Sequence, residues 1–412
     1  MSKARHTPRI RLRTLALTVV VTFAIQHCWP AQTPTGSILF LSGGKVFKTD
    51  FLDTATSWTQ FSPVPPRYPS FDLCQQTGSL VLGGPAFNVP AKPLSHGLAL
   101  SSVSLARTPA LAISDQAPNS SQPSWAPGGL REVVCSPDGR MVAILRFAPP
   151  NENVAQMIVL HAQRGEVVQQ TDMNTFKSHP AWSPDAKEVA FYSTPYEASA
   201  SYPHPFDREK IPDIKGYAVC VLNIQTGAVR TVGPPGYGIT EERLFPPCWS
   251  PDGSKIAFEA TYQRMWGPGW KERRALPERR IWPSIHIVNA DGTGLERISL
   301  PGCYDTCPVW SPDGSKIAFV SRRAKPDGSG IYIMNPEGAA QQKIPGTTAA
   351  AERILWSPDG KWIAFTSYEL APGKSRRYKS LFIVTPSGDQ LIPVCPEIPV
   401  DDSTPIRWAT LP

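Results

Sequence analysis

The sequence predicts an all-β chain folded as a β-propeller of four-stranded blades, and three observations lead there. One phrase recurs five times with little change, and a second, hairpin-like phrase follows most of its copies. Proline supplies 45 of the 412 residues, about double its usual share, which disfavours long helices and suits short strands joined by turns. Two hairpins per repeat, with no helical pattern between them, match one blade of a propeller.

The copies of the first phrase are VCSPDGRMVAI from Val134, AWSPDAKEVAFYS from Ala181, CWSPDGSKIAFEA from Cys248, VWSPDGSKIAFVS from Val309 and LWSPDGKWIAFTS from Leu355. Their serines, Ser136, Ser183, Ser250, Ser311 and Ser357, are spaced by 47, 67, 61 and 46 residues. Such steps exceed ankyrin-sized units and suit blades carrying insertions. Ser-Pro-Asp-Gly is a turn: Pro presets φ, Asp bonds the backbone ahead, and Gly adopts a left-handed conformation. The strand after it places large apolar residues on one face and a small Ala on the other. The Trp before each turn reads as an anchor between layers. The second phrase, AVCVLNIQTGAVRTV, SIHIVNADGTGLERI, GIYIMNPEGAAQQKI and SLFIVTPSGDQLIPV, is a strand, a Gly-containing turn and a second strand.

These paired phrases resemble those of the TolB propeller family, with its WD40-like PD40 repeats, over nearly all of residues 37–412. The resemblance implies a single propeller domain there and a binding or scaffolding role in the bacterial cell envelope. TolB proteins contact a peptidoglycan-associated lipoprotein and a partner's peptide. They also carry an N-terminal α/β domain, whereas here the blade pattern starts at Ser37, which sets this chain apart from that system.

Two degenerate stretches extend the series. Residues 69–114 contain SFDLCQQTGSLVLGG, GLALSSV and ALAIS, which follow the strand order with Phe71 in the place of Trp. SILFLS from Ser37 resembles the second strand of a unit without its first, and PIRWA from Pro405 resembles a first strand without its second. Pairing of the two ends closes the ring and leaves no free edge inside it. Seven blades result, or six if residues 63–130 form an irregular loop.

Residues 1–36 read as an export segment and short linker. Lys3, Arg5, Arg9, Arg11 and Arg13 precede an apolar run from Leu15 to Ile25, with no acidic residue before Asp50. The run is short of the roughly 20 residues that span a bilayer, so it reads as a cleaved signal, with an uncleaved anchor or lipidation at Cys28 as alternatives. The expected location is the periplasm or cell envelope, with membrane contact only through an uncleaved N-terminus. Without those five charges the formal net charge falls from +7 to +2, so the basic pI is no argument for a nucleic-acid partner. Export permits disulfides among the eight cysteines. Cys303 and Cys307 could close a small ring, while Cys135, Cys220 and Cys248 read as buried free thiols. No CxxC pair occurs, and neither a metal nor another cofactor is expected.

In a four-stranded meander the two short turns fall on one rim, and the longer connections fall on the other. The long segments are Ser193–Gly216, Thr261–Ser284 and Tyr368–Ser380, beside the link Gly233–Pro247. They carry a basic, aromatic candidate binding rim: Arg264, Trp266, Trp270, Lys271, Arg273, Arg274, Arg279, Arg280 and Trp282, with Arg322, Arg323, Lys325, Lys374, Arg376, Arg377 and Lys379 on the same side. Such a surface suits an acidic envelope protein, an anionic glycan or phospholipid headgroups, and it equally suits plain solvated loops. The residue three before each Trp-equivalent should lie near the channel mouth: Tyr68, Glu132, His179, Pro246, Cys307, Arg353 and Pro405. A small-molecule or peptide-end site could form there.

Catalytic signatures are sparse. Neither GxSxG nor HExxH occurs, and His96, His161, His179, His204 and His286 are scattered. The reading is therefore a non-catalytic, monomeric binding propeller. The alternative is a carbohydrate-active enzyme similar to oligogalacturonate lyases, whose propellers bind a metal through several histidines. His179 fits that pattern and its neighbours in the series do not.

Overall fold

The structure is a computed structural model. It describes residues 34, 36–42, 45–52, 55–60, 70–74, 79–83, 91–93, 99–105, 108–114, 130–148, 151–194, 217–233, 245–260, 283–323, 328–348, 350–370, 377–394, 400 and 406–409. Among them all regular structure is strand, gathered into seven sheets. No helix among the described residues is long and apolar enough to cross a membrane.

The chain lays down the sheets in order. β1 (Ser37–Ser42), β2 (Lys45–Leu52) and β3 (Ala55–Gln60) begin the first. β4 (Ser70–Cys74), β5 (Ser79–Gly83), β6 (Ala91–Pro93), β7 (Ala99–Leu105) and β8 (Thr108–Ser114) make the second. The third holds β9 (Leu130–Cys135), β10 (Met141–Ala148), β11 (Asn151–His161) and β12 (Val167–Gln170), and the fourth holds β13 (Lys177–Trp182), β14 (Glu188–Ser193), β15 (Ala218–Asn223) and β16 (Val229–Gly233). β17 (Cys248–Trp249), β18 (Lys255–Ala260), β19 (Ser284–Asn289) and β20 (Glu296–Arg297) form the fifth. β21 (Asp305–Trp310), β22 (Ile317–Ser321), β23 (Gly330–Met334) and β24 (Gln342–Lys343) form the sixth. The seventh is β25 (Ala351–Trp356), β26 (Ile363–Leu370), β27 (Arg377–Val384) and β28 (Leu391–Val394), after which β29 (Arg407–Ala409) returns to the first sheet, ordered β29-β1-β2-β3. The innermost strands β29, β4, β9, β13, β17, β21 and β25 touch in succession, and β25 touches β29 again. The result is a closed β-propeller.

Local chemistry explains why the repeated phrase builds the same corner each time. The serine hydroxyl donates to the Asp carboxylate two residues on, at 2.6 Å from Ser136, 2.7 Å from Ser183, 2.5 Å from Ser250, 2.6 Å from Ser311 and 2.5 Å from Ser357. In every copy the amide five residues past the serine donates to the same hydroxyl at 2.9 Å. The serine thus ties both strands of the hairpin to the turn. Its Asp accepts the backbone N–H ahead as expected, for example that of Ser254 onto Asp252 at 3.0 Å. In the copy that carries Ala in the Gly place, Ala186 still takes φ +59°, so the corner imposes the left-handed conformation at some steric cost.

The Trp anchors hold neighbouring sheets together. In three of the four the indole N–H donates to a carbonyl of the preceding inner strand, Trp182 to Val134 at 3.0 Å, Trp249 to Ala181 at 3.0 Å and Trp356 to Val309 at 3.1 Å, while that of Trp310 finds no partner among the described residues. The second hairpin turn seats on the previous sheet as well. Gly338 sits at φ +78°, and a Cβ there would come within 2.2 Å of the Ile298 carbonyl oxygen, so only glycine fits.

The termini close the ring as the sequence implied. β1 and β29 pair antiparallel, Ser37 with Ala409, Ile38 with Trp408 and Leu39 with Arg407. Trp408 is 2% exposed and packs with Ile38, Phe40, Trp362 and Leu381. Arg407 bonds Asp72 of β4, whose other oxygen accepts the Cys135 N–H of β9 at 2.7 Å. One buried carboxylate therefore links three consecutive inner strands.

Four expectations change. The second sheet is not a meander: its order is β4-β5-β8-β7-β6, with β5 and β8 parallel, because the β6–β7 hairpin is laid on the outside before β8 fills the third place. Within it Leu73, not Phe71, stands in the Trp position, since Leu73 pairs with Leu80 at the offset at which Trp182 pairs with Val189. Tyr368–Ser380 is not an open loop, because β26 and β27 extend into it with Tyr368 opposite Lys379 and Leu370 opposite Arg377. Cys135 is in a disulfide, whereas Cys303 and Cys307 are free thiols and close no ring. Cys220 and Cys248 are free thiols as expected.

Candidate functional site

The series three before each Trp singles out an unusual backbone. His179, Cys307 and Arg353 have φ of +56°, +57° and +50°, and the pairing register of each inner strand slips there, between Ser178 and Ala181, Thr306 and Val309, and Glu352 and Leu355. A left-handed conformation at a residue other than glycine costs about 1–3 kcal/mol and persists only where neighbours enforce it. Carboxylates do the enforcing in two cases. Glu132 of β9 accepts the His179 N–H at 3.0 Å, and Glu259 of β18 accepts the Cys307 N–H at 3.1 Å. The other oxygen of Glu259 takes the Phe245 N–H at 3.1 Å. These bulges redirect the side chains of three different sheets.

One contact joins the seventh sheet to the fifth. The Arg353 guanidinium of the seventh sheet lies 5.5 Å from the centre of the Phe245 ring, which precedes β17 in the fifth. Its positive charge also pulls down the pKa of the Cys307 thiol of the sixth sheet and of the His179 imidazole of the fourth. Arg353 is half-buried and, among the described residues, lies in no ion pair.

Burial lowers the pKa of His179; Glu132 opposes that shift and Arg353 adds to it. Its Nδ1 is shut off from solvent with no hydrogen-bond partner among the described residues. Burial pushes the Cys307 thiol up to about 12 and the Cys248 thiol up to about 11, so both stay protonated and inert as nucleophiles. Glu259, 1% exposed, is pushed up to about 8 by burial, against the pull of its two backbone N–H donors.

Glu259 therefore carries a pH signature. In the folded chain it keeps its proton above pH 4.5, its ordinary value, where the unfolded chain has released it. The stability it contributes is complete below that value and is lost as pH rises toward about 8. Glu259→Gln should flatten the fall in melting temperature between about pH 5 and pH 8; parallel curves for variant and parent would contradict this assignment.

Of the channel-mouth residues expected from the sequence, Glu132 accepts the His179 N–H, Cys307 and Arg353 share the left-handed backbone of His179, Pro246 is exposed beside Phe245, and Tyr68 and Pro405 lie outside the described residues. The binding rim is less accessible to description. Arg264, Trp266, Trp270, Lys271, Arg273, Arg274, Arg279, Arg280, Trp282, Lys325, Lys374 and Arg376 lie outside the described residues, and Arg377 opens β27. Two other rim cations are not surface groups. Lys379 is 3% exposed, bonds Glu352 at 3.0 Å and faces the Tyr368 ring, and Arg323 is buried against Phe319 and Tyr332. Their aliphatic stems and neighbouring aromatic rings make burial favourable once each charge has a polar partner.

Two site residues escaped the sequence reading. Glu259 had a signal, a lone charge where the other copies carry Leu145, Tyr192, Val320 and Thr366. Phe245 had none, since it precedes the strand and belongs to no phrase. Among the described residues no three His, Cys, Asp or Glu side chains gather as a metal site would require.

No family model matches the chain, and no curated protein does. Solved structures similar to it share the propeller at low identity. TolB from Acinetobacter baumannii is 15% identical, with 76% of this chain and 62% of that one covered and a TM-score of 0.45; the chain thus spans less than two thirds of that protein. An oligogalacturonate lyase from Vibrio parahaemolyticus is 15% identical over 88% of this chain and 86% of that one, at a TM-score of 0.48. The tricorn protease is 11% identical over 87% of this chain and 34% of that one, also at 0.48.

Proposed function

We propose that this protein is a non-catalytic binding propeller of the cell envelope that holds an acidic partner at the channel mouth and the adjoining long-loop rim. The observation that carries the reading is Arg353: a half-buried guanidinium over the Phe245 ring, without a carboxylate partner among the described residues. A cation left uncompensated in a low-dielectric mouth attracts anionic ligands strongly. The bulged backbone that presents it is costly to keep, which is common at binding sites. Export is supported by the signal-like N-terminus and by the disulfide at Cys135, since such bonds persist in oxidising compartments.

The test is affinity capture from crosslinked envelope fractions, comparing the parent protein with Arg353→Gln and with a form lacking residues 261–284. Recovery of a defined acidic protein that drops with either change supports the reading. An anionic glycan recovered instead would move the partner class, and identical recovery from all three forms would remove both the mouth and the loop from the account.

A further inference from the structure

We propose that Cys135 is bonded to Cys74 and that this disulfide takes the place of the Trp anchor between the second and third sheets, as a redox-dependent latch. Cys135 is in a disulfide, while Cys220, Cys248, Cys303 and Cys307 are free thiols. Of the eight cysteines, that leaves Cys28, Cys74 and Cys395 as partners. Cys28 belongs to the segment that reads as a cleaved signal. Cys395 follows Val394 at the end of β28, the outermost strand of the seventh sheet, whose neighbours are the sixth and first sheets.

The repeat puts Cys135 where an anchor belongs. It pairs with Val142 at the offset at which Trp182 pairs with Val189, so it holds the Trp place of the third sheet. The Trp of a sheet reaches back to the sheet before it, as Trp182 does to Val134 and Trp249 to Ala181, each at 3.0 Å. Cys135 faces the same way, since it packs with Val81 of β5 in one buried cluster. A cysteine has neither the area of an indole nor its N–H, so in that place a covalent bond restores the hold.

The register of the second sheet puts Cys74 on the facing side. β4 and β9 lie next to one another, and the Asp72 carboxylate accepts the Cys135 N–H at 2.7 Å, so Asp72 belongs to the face of β4 that meets the third sheet. Val81 pairs with Asp72 and shares that face. Successive residues of a strand alternate between faces, so Cys74, two residues on and paired with Ser79, shares it as well. Cys74 also stands where the other copies carry the serine of Ser-Pro-Asp-Gly, but Gln-Gln-Thr-Gly follows it, so the turn makes no claim on it.

The bond forms as the two thiols give two protons and two electrons, by exchange, to a disulfide-carrying oxidant of the compartment, which becomes a dithiol. A reducing compartment leaves the latch open. The experiment is peptide mapping of the exported full-length protein, alkylated and digested without reductant, followed by thermal melting with and without dithiothreitol. A cross-linked pair of peptides holding Cys74 and Cys135 is expected. Reduction should lower the melting temperature of the parent by roughly 5 °C or more. Cys74→Ser, Cys135→Ser and the double variant should all melt at that lower value, unmoved by reductant. Recovery of Cys135 as a free thiol, or linked to Cys28 or Cys395, would overturn the pairing. A mapped bond whose reduction leaves the melt unchanged would overturn its anchoring role. Should a variant fold poorly, the mapping and the reduction of the parent still decide.

Discussion

Removal of residues 406–412 is expected to lower the melting temperature of the whole propeller by roughly 10 °C or more, not merely to fray one end. β29 is the innermost strand of the first sheet, and Ile406, Trp408 and Ala409 are all buried. Loss of a buried Trp side chain alone costs about 3–5 kcal/mol, against a net stability of about 5–15 kcal/mol for a typical domain. The deletion also strips β1 of its ladder partner and removes the Arg407 bond to Asp72. An exposed edge at the centre of the ring then invites aggregation. Thermal melting monitored by far-UV circular dichroism checks this, and an unchanged transition would count against closure through the termini.

Asp72→Ala is expected to cost about 3–5 kcal/mol, the usual penalty for breaking a buried charge pair from one side. Asp72 is 4% exposed. It accepts from Arg407, from the Cys135 N–H at 2.7 Å and from its neighbour's Leu73 N–H at 2.8 Å. Truncation leaves the partly buried guanidinium with only the Ile406 carbonyl at 3.1 Å and takes the carboxylate acceptor from the Cys135 amide. Combining it with Arg407→Leu should recover part of the loss, because the stranded charge goes too. The midpoint of urea unfolding, taken for both variants and the parent, measures the effect. A neutral Asp72→Ala would show that the three inner strands do not depend on this carboxylate.

The parts of the fold written in local chemistry were legible. Ser-Pro-Asp-Gly dictates its own hairpin, the Trp before it seeks a neighbouring sheet, and the half-units at the two ends complete one another. The same counting singled out His179, Cys307 and Arg353, the three that share a bulged, left-handed backbone. It gave no hint of that backbone, because at His179 and Cys307 it is held by Glu132 and Glu259, which belong to neighbouring or more distant strands. The second sheet was misread where the phrase decays. With Trp replaced by Leu73, no residue marks the register, and the parallel pairing of β5 with β8 depends on chain order over many residues. The disulfide of Cys135 was missed for a related reason: an apolar strand suggests a buried thiol, and spacing says nothing about which strands lie side by side.

Amide hydrogen exchange at Arg407, Trp408 and Ala409 tests ring closure most directly. A last strand held inside the first sheet should exchange as slowly as the middle of β26, within the same cooperative unit. Exchange of those three amides within seconds, while β26 remains protected, would mean that the chain end hangs free and the propeller is open.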